Sequence, residues 1–417
     1  MAAPSISINS AAQVLRPPQD GLPYMRANRA AELRTDAGAL SLTGGLIDGF
    51  EAAAGAQLQI DAEGCAVIPG FVDCHTHLPF AGWRADEYNL KVTGASYEQI
   101  AQAGGGIKSS AIALDQASDD EVIEQAQGLA DEMLRHGTTT FETKSGYGMS
   151  VEGEMRALAL AARLDQSVAQ QTASTALLAH ALPADYDVDG WMAEVALMAA
   201  QVAHERSASA LDIYVESVAF DNEQLRKMGE LAKQHGFDLR AHVEQFNTNR
   251  SVPVALEMGA RSVDHLACLD PDDLPALAES ECAAVLLPGA EFLGKEEVAP
   301  GRELADAGAI TVIATDANPG TSPIVSMPLI IGLAVRRYGW TALEALLSAT
   351  LNPAWLLRCS DVTGSLETGK RADVVILDGP IENIAYRFGH NPVAAVICGG
   401  ELVHVREDWK EHVSGEL

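Results

Sequence analysis

PGFVDCHTH, residues 69–77, joins an apolar, strand-like run to a pair of histidines. A Pro-Gly pair precedes the apolar residues, and such a boundary is typical of the start of a short buried strand. His75 and His77 are two residues apart, so on a strand both side chains point to the same side. The segment therefore predicts a buried strand whose carboxyl end carries two imidazoles that can reach one ligand.

Seven further segments of this kind follow, and amphipathic segments separate nearly all of them. They are TTTFETK (138–144), TASTALLAH (172–180), LDIYVES (211–217), FDLRAHV (237–243), RSVDHL (261–266), CAAVLLP (282–288) and TVIATD (311–316). The clearest helix is predicted over Asp119–His136, where Ser118 and Glu121 can form a capping box and Gly137 can end the helix. Eight parallel strands with helices between them predict an α/β fold, a (β/α)8 TIM barrel, whose chemistry lies at the carboxyl ends of the strands.

The two ends of the chain differ from the barrel segments. Residues 1–66 contain short segments punctuated by glycine, which favour strands and turns over helices, and residues 359–417 contain β-like segments such as SLETGKRADVVILD (365–378). Two helical segments, TALEALLSAT (341–350) and NPAWLLR (352–358), precede the second region. We predict that residues 67–358 form the catalytic barrel and that residues 1–66 and 359–417 together form a small β-sandwich domain.

The charge balance narrows the range of partners. The 417 residues include 28 Lys and Arg against 58 Asp and Glu, a formal net charge of −30. The electrostatic field of a protein with this net charge repels phosphate backbones and anionic bilayers. The six cysteines form no Cys-x-x-Cys pair, the N-terminus lacks a basic start and an apolar run, and no apolar run approaches the ~20 residues of a membrane span. We predict a cytoplasmic protein that binds neither nucleic acid nor membranes, and base rates favour a homodimer.

Histidines and an aspartate at the predicted strand ends indicate a metal site. Besides His75 and His77, His242 lies at the end of the fifth strand and Asp316 at the end of the eighth. Three neutral imidazoles and one carboxylate suit a divalent ion such as Zn2+ or Fe2+, with water in an open position. Any one of these histidines alone also fits a hydrogen-bonded core or loop residue, but their shared register favours the metal site.

A site of this kind favours hydrolysis, because a bound ion lowers the pKa of water to about 7. Asp316 is the predicted base, since a carboxylate that binds an ion through one oxygen can accept a proton on the other. His265, at the end of the sixth strand, is predicted to polarise a substrate carbonyl or to shuttle a proton. The alternative for His265 is a hydrogen bond that supports a metal ligand.

With the aspartate in ATDANPGTSP (314–323) and the closing GSLETGKRADVVILD (364–378), the PGFVDCHTH segment resembles the amidohydrolase superfamily of metal-dependent hydrolases. Further segments resemble the imidazolonepropionase family, whose members open a five-membered imidazolone ring in histidine degradation. These segments are FAGWRADEY (80–88), GASYEQIAQAGGGI (94–107), TKSGYG (143–148), LLAHALP (177–183), SVDHL (262–266), LLPGAEFL (286–293) and NPGTSPIVSMPL (318–329). The resemblance extends from Val67 to the end of the chain.

The resemblance implies hydrolysis of 4-imidazolone-5-propanoate to N-formimidoyl-L-glutamate, in which water attacks the ring carbonyl. It implies one metal ion per subunit, held by His75, His77, His242 and Asp316. It also implies a set of substrate contacts: Arg84 and Tyr147 with the propionate and adjoining polar groups, His180 with the ring, and a loop of Asn318, Gly320 and Thr321 with the product-like end.

Two of the implied substrate contacts also have an interpretation from the residues themselves. The Arg84 guanidinium can bind a carboxylate bidentately and offset the negative charge of the chain, although an ion pair with Asp86 or Glu87 is the alternative. Tyr147 lies between two glycines, an arrangement that lets a loop approach a ligand closely or that simply forms a turn.

The chain departs from the family pattern at a few positions. Many imidazolonepropionases carry Glu three residues after the fifth-strand histidine, where this chain has Gln245. Glutamine cannot act as a general base, so the proton transfers are assigned to Asp316 and His265, and Gln245 is predicted to hydrogen-bond the ring in the catalytic site. Trp83 stands where a smaller polar residue is more common, and NTNRSVPVAL (247–256) lacks a Gly-containing stretch usual in the family.

Several alternatives stay open at this stage. Glu216, at the end of the fourth strand, is either a ligand of a second ion or a structural carboxylate, and we favour the structural role. Lys144 lies on the second strand and not the fourth, so we do not assign it the role of a modified, metal-bridging lysine. The same ligands would serve a deaminase or another cyclic amide hydrolase, and a catalytically silent barrel that binds a ligand or a partner protein is a further alternative.

Overall fold

The computed structural model of the chain describes residues 3–95, 99–100, 103–294 and 297–415. It contains one eight-stranded parallel sheet and one nine-stranded mixed sheet. Parts of the segment 94–107 used for the resemblance, and the outermost two residues at each end of the predicted small domain, lie outside the described residues.

The strands are, in chain order, β1 (Ile6–Arg16), β2 (Arg34–Thr43), β3 (Leu46–Gly49), β4 (Leu58–Asp61), β5 (Ala66–Pro69), β6 (Phe71–Asp73), β7 (Thr138–Lys144), β8 (Gln171–Ala179), β9 (Ala210–Val215), β10 (Asp238–Val243), β11 (Ser262–His265), β12 (Ala283–Leu286), β13 (Ile310–Ile313), β14 (Val374–Leu377), β15 (Val393–Cys398), β16 (Glu401–Val405) and β17 (Val413–Gly415). The α-helices described are α1 (Ala85–Val92), α2 (Ile107–Gln116), α3 (Asp119–Arg135), α4 (Val151–Asp165), α5 (Val188–Glu205), α6 (Asn222–His235), α7 (Ser251–Glu257), α8 (Leu274–Glu279), α9 (Pro288–Gly294), α10 (Gly301–Asp306), α11 (Met327–Tyr338), α12 (Ala342–Leu347), α13 (Leu351–Leu356) and α14 (Asn383–Tyr386). Two 3-10 helices cover Ala27–Glu32 and Glu407–His412.

The eight-stranded sheet is the predicted barrel. Its strands β6 to β13 pair in chain order, each parallel to the next, and they coincide with the eight predicted segments to within a few residues. A parallel bridge between Thr76 and Ala317, just beyond β6 and β13, closes the ring on the carboxyl side of the strands. The closure brings the residues that follow the first and the last barrel strands side by side.

Helix α3 shows how local sequence sets the boundaries of an element. Ser118 accepts a hydrogen bond from the backbone N–H of Glu121, and the Glu121 carboxylate accepts one from the backbone N–H of Ser118, so the predicted capping box is present. The helix ends at Arg135, and Gly137 has a φ of +89°, a conformation that favours glycine. A Cβ at Gly137 would lie 3.0 Å from the Phe71 ring, so this turn also packs tightly on the first barrel strand.

The nine-stranded sheet joins the two ends of the chain. β5 pairs antiparallel with β14, and β4 pairs antiparallel with β17, so N-terminal and C-terminal strands belong to one sheet. Its apolar side chains divide between two clusters: Val374 and Ile376 belong to a cluster of the small domain, whereas Val375 and Leu377 of the same strand belong to the main barrel cluster. This arrangement confirms a (β/α)8 barrel with a small β domain built from both termini, whereas the boundaries at residues 66 and 359 stay predictions.

None of the helices among the described residues combines the length and the apolar character that crossing a membrane requires.

Candidate active site

The candidate metal ligands lie together at the carboxyl end of the barrel. The barrel closure positions them: the Asp316 backbone N–H donates to the His75 carbonyl at 3.0 Å, and the His77 N–H donates to the Ala317 carbonyl at 2.9 Å. The side chains of these residues are also close together: Asp316 Oδ1 lies 3.6 Å from His75 Nε2 and 3.3 Å from His77 Nε2. Residues more than 200 positions apart in the sequence thus lie side by side in the structure.

His242 and His265 complete the group. One ring nitrogen each from His75, His242 and His265 lie within 4.8 Å of one another, as do the ligand atoms of His75, His77 and Asp316. The ring centroids of His75 and His242 are 4.5 Å apart. His75 belongs to both sets, so the five side chains enclose a single volume in which an ion can be bound.

The hydrogen bonds of the histidines fit a metal site. His75 Nδ1 lies 2.6 Å from an Asp264 carboxylate oxygen, and His242 Nδ1 lies 3.0 Å from an Asp212 carboxylate oxygen. Among the described residues the Nε2 atoms of both rings have no hydrogen-bond partner, although both are buried. A carboxylate on one nitrogen fixes the ring and its tautomer and leaves the other nitrogen as a ligand. Zn2+ and Fe2+ are commonly bound by neutral imidazole nitrogens together with a carboxylate oxygen.

Two buried cations lie beneath the candidate ligands. Lys144 Nζ lies 2.7 Å from the Asp212 carboxylate, and Arg240 Nη2 lies 3.0 Å from the Asp264 carboxylate. Glu142 pairs with both cations. Although burial would raise the pKa of Asp212, His242 and Lys144 hold that pKa well below its usual range, so the carboxylate can accept the hydrogen bond of His242.

Sequence reasoning did not find this charged layer, although a signal was present. Asp212, Arg240 and Asp264 each lie on a strand that was correctly predicted to be buried. Arg240 is two residues before His242, so both side chains point into the barrel. A charged residue at an inward position of a buried strand needs a partner in the interior. That requirement could have predicted the layer, but not which residues pair.

Asp316 and His265 share a strained backbone conformation. Their φ angles are +53° and +82°, a region that non-glycine residues seldom adopt and that is found often at functional sites. Burial lowers the pKa of His265 to about 3, so its imidazole is neutral at neutral pH and retains one N–H donor. Burial raises the pKa of Asp316, while Thr321 Oγ1 donates to its second oxygen, Oδ2, at 3.4 Å.

A narrow pocket of about 30 Å³ opens beside these groups. It contains most of the predicted substrate-binding residues and is lined by His77, Arg84, Ile107, Tyr147, His180, Tyr214, His242, Gln245, His265, Asp316, Asn318 and Thr321. Tyr214 was not predicted. Trp83 is outside this lining: its side chain is half exposed and its ring packs edge-on against Phe80.

Arg84 is the buried cation of this pocket. Its Nη1 donates to Ser110 Oγ at 3.2 Å, and its Nε lies 3.5 Å from Glu87, the ion pair that was the alternative to substrate binding. The ion pair with Glu87 is therefore formed by a guanidinium that also lines the pocket. A Cβ at Gly320 would lie 1.7 Å from Arg84 Nη2, so only glycine allows the guanidinium to lie against this loop.

The loop of Asn318, Gly320 and Thr321 is held by its own asparagine. Asn318 Oδ1 accepts hydrogen bonds from the backbone N–H groups of Gly320 at 2.8 Å and Thr321 at 2.7 Å. Asn318 Nδ2 donates to the Asp316 carbonyl at 2.6 Å and to Thr321 Oγ1 at 2.8 Å. The side chain of Asn318 thus connects the geometry of the loop to that of Asp316.

Tyr147, His180 and Gln245 also line the pocket. His180 stacks on His77 with centroids 5.3 Å apart, and its Nδ1 lies 3.0 Å from the Gly146 carbonyl. Tyr147 is buried with its ring centroid 5.4 Å from that of His180. Gln245 Oε1 accepts a hydrogen bond from Tyr214 Oη at 3.1 Å, so the two side chains hold each other at the pocket.

Glu216 points away from this centre. Its carboxylate accepts hydrogen bonds from the Phe246 N–H at 2.8 Å and from Asn247 Nδ2 at 2.8 Å. The groups of side chains with metal-binding geometry, as far as the described residues show, do not include Glu216. These contacts support the structural interpretation, in which Glu216 holds the loop after β10.

Comparisons with known proteins agree with this geometry. The model of the amidohydrolase family matches residues 66–403. An imidazolonepropionase of Herpetosiphon aurantiacus is 43% identical over 82% of this chain and 83% of its own length. An imidazolonepropionase of Cupriavidus necator is 39% identical over 91% of this chain and 92% of its own length.

Solved structures show the same fold. A zinc-bound adenosine deaminase from Xanthomonas campestris has a TM-score of 0.70 at 18% identity, covering 97% of this chain and 98% of its own. A mutant atrazine chlorohydrolase of Arthrobacter aurescens, complexed with zinc and atraton, has a TM-score of 0.73 at 15% identity, covering 95% of each chain. At such low identity the structural likeness speaks for the fold alone, whereas the sequence likeness is specific: the chain belongs to the amidohydrolase family and, within it, to the imidazolonepropionases.

Proposed function

We propose that the protein hydrolyses 4-imidazolone-5-propanoate to N-formimidoyl-L-glutamate in histidine degradation. The observation that carries this proposal is the buried pocket that combines a set of metal-binding side chains with one arginine. The sequence likeness to imidazolonepropionases over most of the chain supports the same substrate.

One divalent ion, Zn2+ or Fe2+, would be held by His75, His77, His242 and Asp316. When bound, such an ion polarises a carbonyl oxygen and lowers the pKa of water to about 7. The Nε2 atoms of His75 and His242 support this assignment, because each is buried without a hydrogen-bond partner among the described residues while the other nitrogen of its ring lies against a carboxylate. Elemental analysis of the purified protein tests it, and less than a tenth of an equivalent of transition metal, with no activity after metal is added, would favour a silent barrel.

Asp316 and His265 have different roles in the proposed reaction. Water adds to the ring carbonyl carbon, and the bond from that carbon to the adjoining ring nitrogen breaks. Asp316 accepts the proton of the attacking water and passes it to the leaving nitrogen, which balances the reaction. The N–H of neutral His265 donates to the oxyanion that develops on the carbonyl oxygen. The former carbonyl carbon becomes a carboxylic acid that retains the second proton of the water, and release of this proton to solvent gives the carboxylate of the product.

The remaining lining residues orient the substrate. Arg84 binds the propionate, Tyr147 contacts the same end, and His180 packs on the ring. Gln245 hydrogen-bonds the ring, and Asn318, Gly320 and Thr321 form the loop at the product-like end. Arg84 supplies the positive charge that an anionic substrate needs in a chain with a net charge of −30.

The direct test is to incubate the purified protein with 4-imidazolone-5-propanoate and to follow the loss of its ultraviolet absorbance, alongside a panel of other cyclic amides and aminated heterocycles. Preferential loss of the imidazolone with formation of N-formimidoyl-L-glutamate is expected. Faster turnover of an aminated heterocycle would instead favour a related deaminase.

Replacing Arg84 with methionine is expected to raise KM for the propionate-bearing substrate by about 10- to 100-fold, because a charge-assisted hydrogen-bonding group is lost. KM for a neutral cyclic amide should change little. Steady-state kinetics on both substrates provide the measurement, and Arg29→Met, at an exposed arginine paired with Glu32, is the control. An equal rise of KM for both substrates would mean that Arg84 supports the fold and does not bind the carboxylate of the substrate.

We further propose that the protein is a cytoplasmic homodimer that binds neither nucleic acid nor membranes, with domain boundaries at residues 66 and 359. The negative charge and the base rate of cyclic dimers support this assignment. Light scattering coupled to size-exclusion chromatography tests the dimer, for which a mass of one chain would contradict the proposal.

A further inference from the structure

Glu154, in the first turn of α4, is a buried carboxylate that binds a loop at the active site. Its Oε2 accepts a hydrogen bond from the Gly146 N–H at 2.8 Å, and its Oε1 accepts from the N–H groups of Gly148 at 2.7 Å and Met149 at 3.1 Å. The residue is only 2% exposed. One side chain therefore satisfies three backbone donors of a five-residue segment, Ser145–Met149.

The loop also packs directly on the start of α4. A Cβ at Gly148 would lie 2.1 Å from the Glu154 backbone nitrogen, and a Cβ at Gly153 would lie 2.4 Å from the Gly148 carbonyl oxygen. The backbone contact is thus too close for any side chain at either position. Gly146 has a φ of +115° and Met149 a φ of +47°, so the segment holds a conformation that few residues adopt unaided.

The same segment carries two groups of the pocket. Tyr147 projects from it into the pocket lining. The Gly146 carbonyl accepts the His180 Nδ1–H at 3.0 Å, which leaves His180 Nε2 as the acceptor atom of the neutral ring. The Gly146 residue is therefore bonded on one side to Glu154, through its N–H, and on the other to His180, through its carbonyl.

We propose that Glu154 is a positioning residue for substrate binding: through the Ser145–Met149 backbone it fixes both Tyr147 and His180 against the substrate. This inference deepens the proposed function and rests on it. Two carboxylate oxygens can accept all three N–H groups, whereas a glutamine has one acceptor oxygen and turns an NH2 group toward at least one backbone donor. An isosteric Glu154→Gln replacement therefore disturbs the loop without removing volume.

The experiment compares Glu154→Gln with Glu152→Gln, an exposed glutamate in the same helical turn that undergoes the same charge change. We expect Glu154→Gln to raise KM for 4-imidazolone-5-propanoate about tenfold with kcat within about threefold of the wild type. We expect the Gly146, Gly148 and Met149 amides to exchange faster with deuterium in this variant. Glu152→Gln should alter neither quantity.

A double-variant cycle tests whether the effect passes through the loop side chain. The KM effects of Glu154→Gln and Tyr147→Ala should be less than additive when combined. Gly148→Ala, which displaces the loop while Glu154 is retained, should raise KM in the same way and serves if Glu154→Gln fails to fold.

An unchanged KM in Glu154→Gln or Gly148→Ala, a parallel fall of kcat, or full additivity with Tyr147→Ala would each overturn the inference. Unchanged amide exchange would overturn it irrespective of activity. A wild-type protein that does not hydrolyse the imidazolone would instead refute the proposed function, and the exchange comparison would still show whether Glu154 orders the loop.

Discussion

Replacing Asp316 with asparagine is expected to lower kcat for 4-imidazolone-5-propanoate by about a thousandfold, the scale at which a general base contributes. Asparagine has nearly the same shape, but its amide cannot accept the proton of the attacking water. The Asp316 carboxylate is 2% exposed, so bulk water cannot take over the transfer readily. KM should change far less than kcat, because the proposed contact with the propionate is made by Arg84 and not by Asp316.

The measurement needs the metal content of the variant as well as its kinetics. Asp316 is a candidate ligand and a candidate base, so a variant that retains metal but loses turnover isolates the second role. Asp272→Asn, at an exposed aspartate outside the pocket, is the matched control and should behave as the wild type. A fully metal-loaded Asp316→Asn protein with more than about a tenth of wild-type kcat would contradict the assignment of the base.

Replacing His265 with alanine is expected to lower kcat by about 10²- to 10³-fold, the cost of one donor to a developing oxyanion. Burial lowers the pKa of His265 to about 3, so the ring acts as a neutral donor and not as a cation. KM should change little, since the charge on the carbonyl oxygen develops only on the way to the transition state.

Two further variants give this result its meaning. His265→Gln retains an N–H donor and should recover part of the lost kcat, while His204→Ala, at an exposed histidine of α5, should have no effect. A ring nitrogen of His265 lies within 4.8 Å of those of His75 and His242, so the metal content again decides between roles. Loss of metal in proportion to loss of activity would make His265 a ligand, and near-wild-type turnover in His265→Ala would remove it from the mechanism.

The barrel could be predicted because its signals are local. Most barrel strands are short apolar runs and several are followed by a polar residue, and Ser118 with Glu121 marks the start of α3 within four residues. The structure confirms these elements. Side-chain alternation on a strand predicted that His75 and His77 point to the same side. The structure ends β6 at Asp73 and places the two histidines just beyond it, on either side of the bridge residue Thr76.

Other parts of the site depend on residues that are far apart in sequence. The pairing of Asp264 with Arg240 and His75, and of Asp212 with Lys144 and His242, depends on which strands become neighbours and at what register. Arg84 and Gly320 are more than 200 residues apart in sequence, and no local sequence pattern predicts their close approach.

The sequence by itself determined the barrel, the union of both chain ends in one β domain and the residue types at the strand ends, because periodicity and the order of segments can be seen in the sequence alone. Its motifs determined the family. Only the tertiary structure decided how His75 and His242 are held by buried carboxylates, how Glu154 orders the Tyr147 loop and how closely Arg84 lies against Gly320. Hydrogen bonds and van der Waals contacts act over a few ångströms, so which residues they join is settled only when the strands have taken their register and the ring has closed.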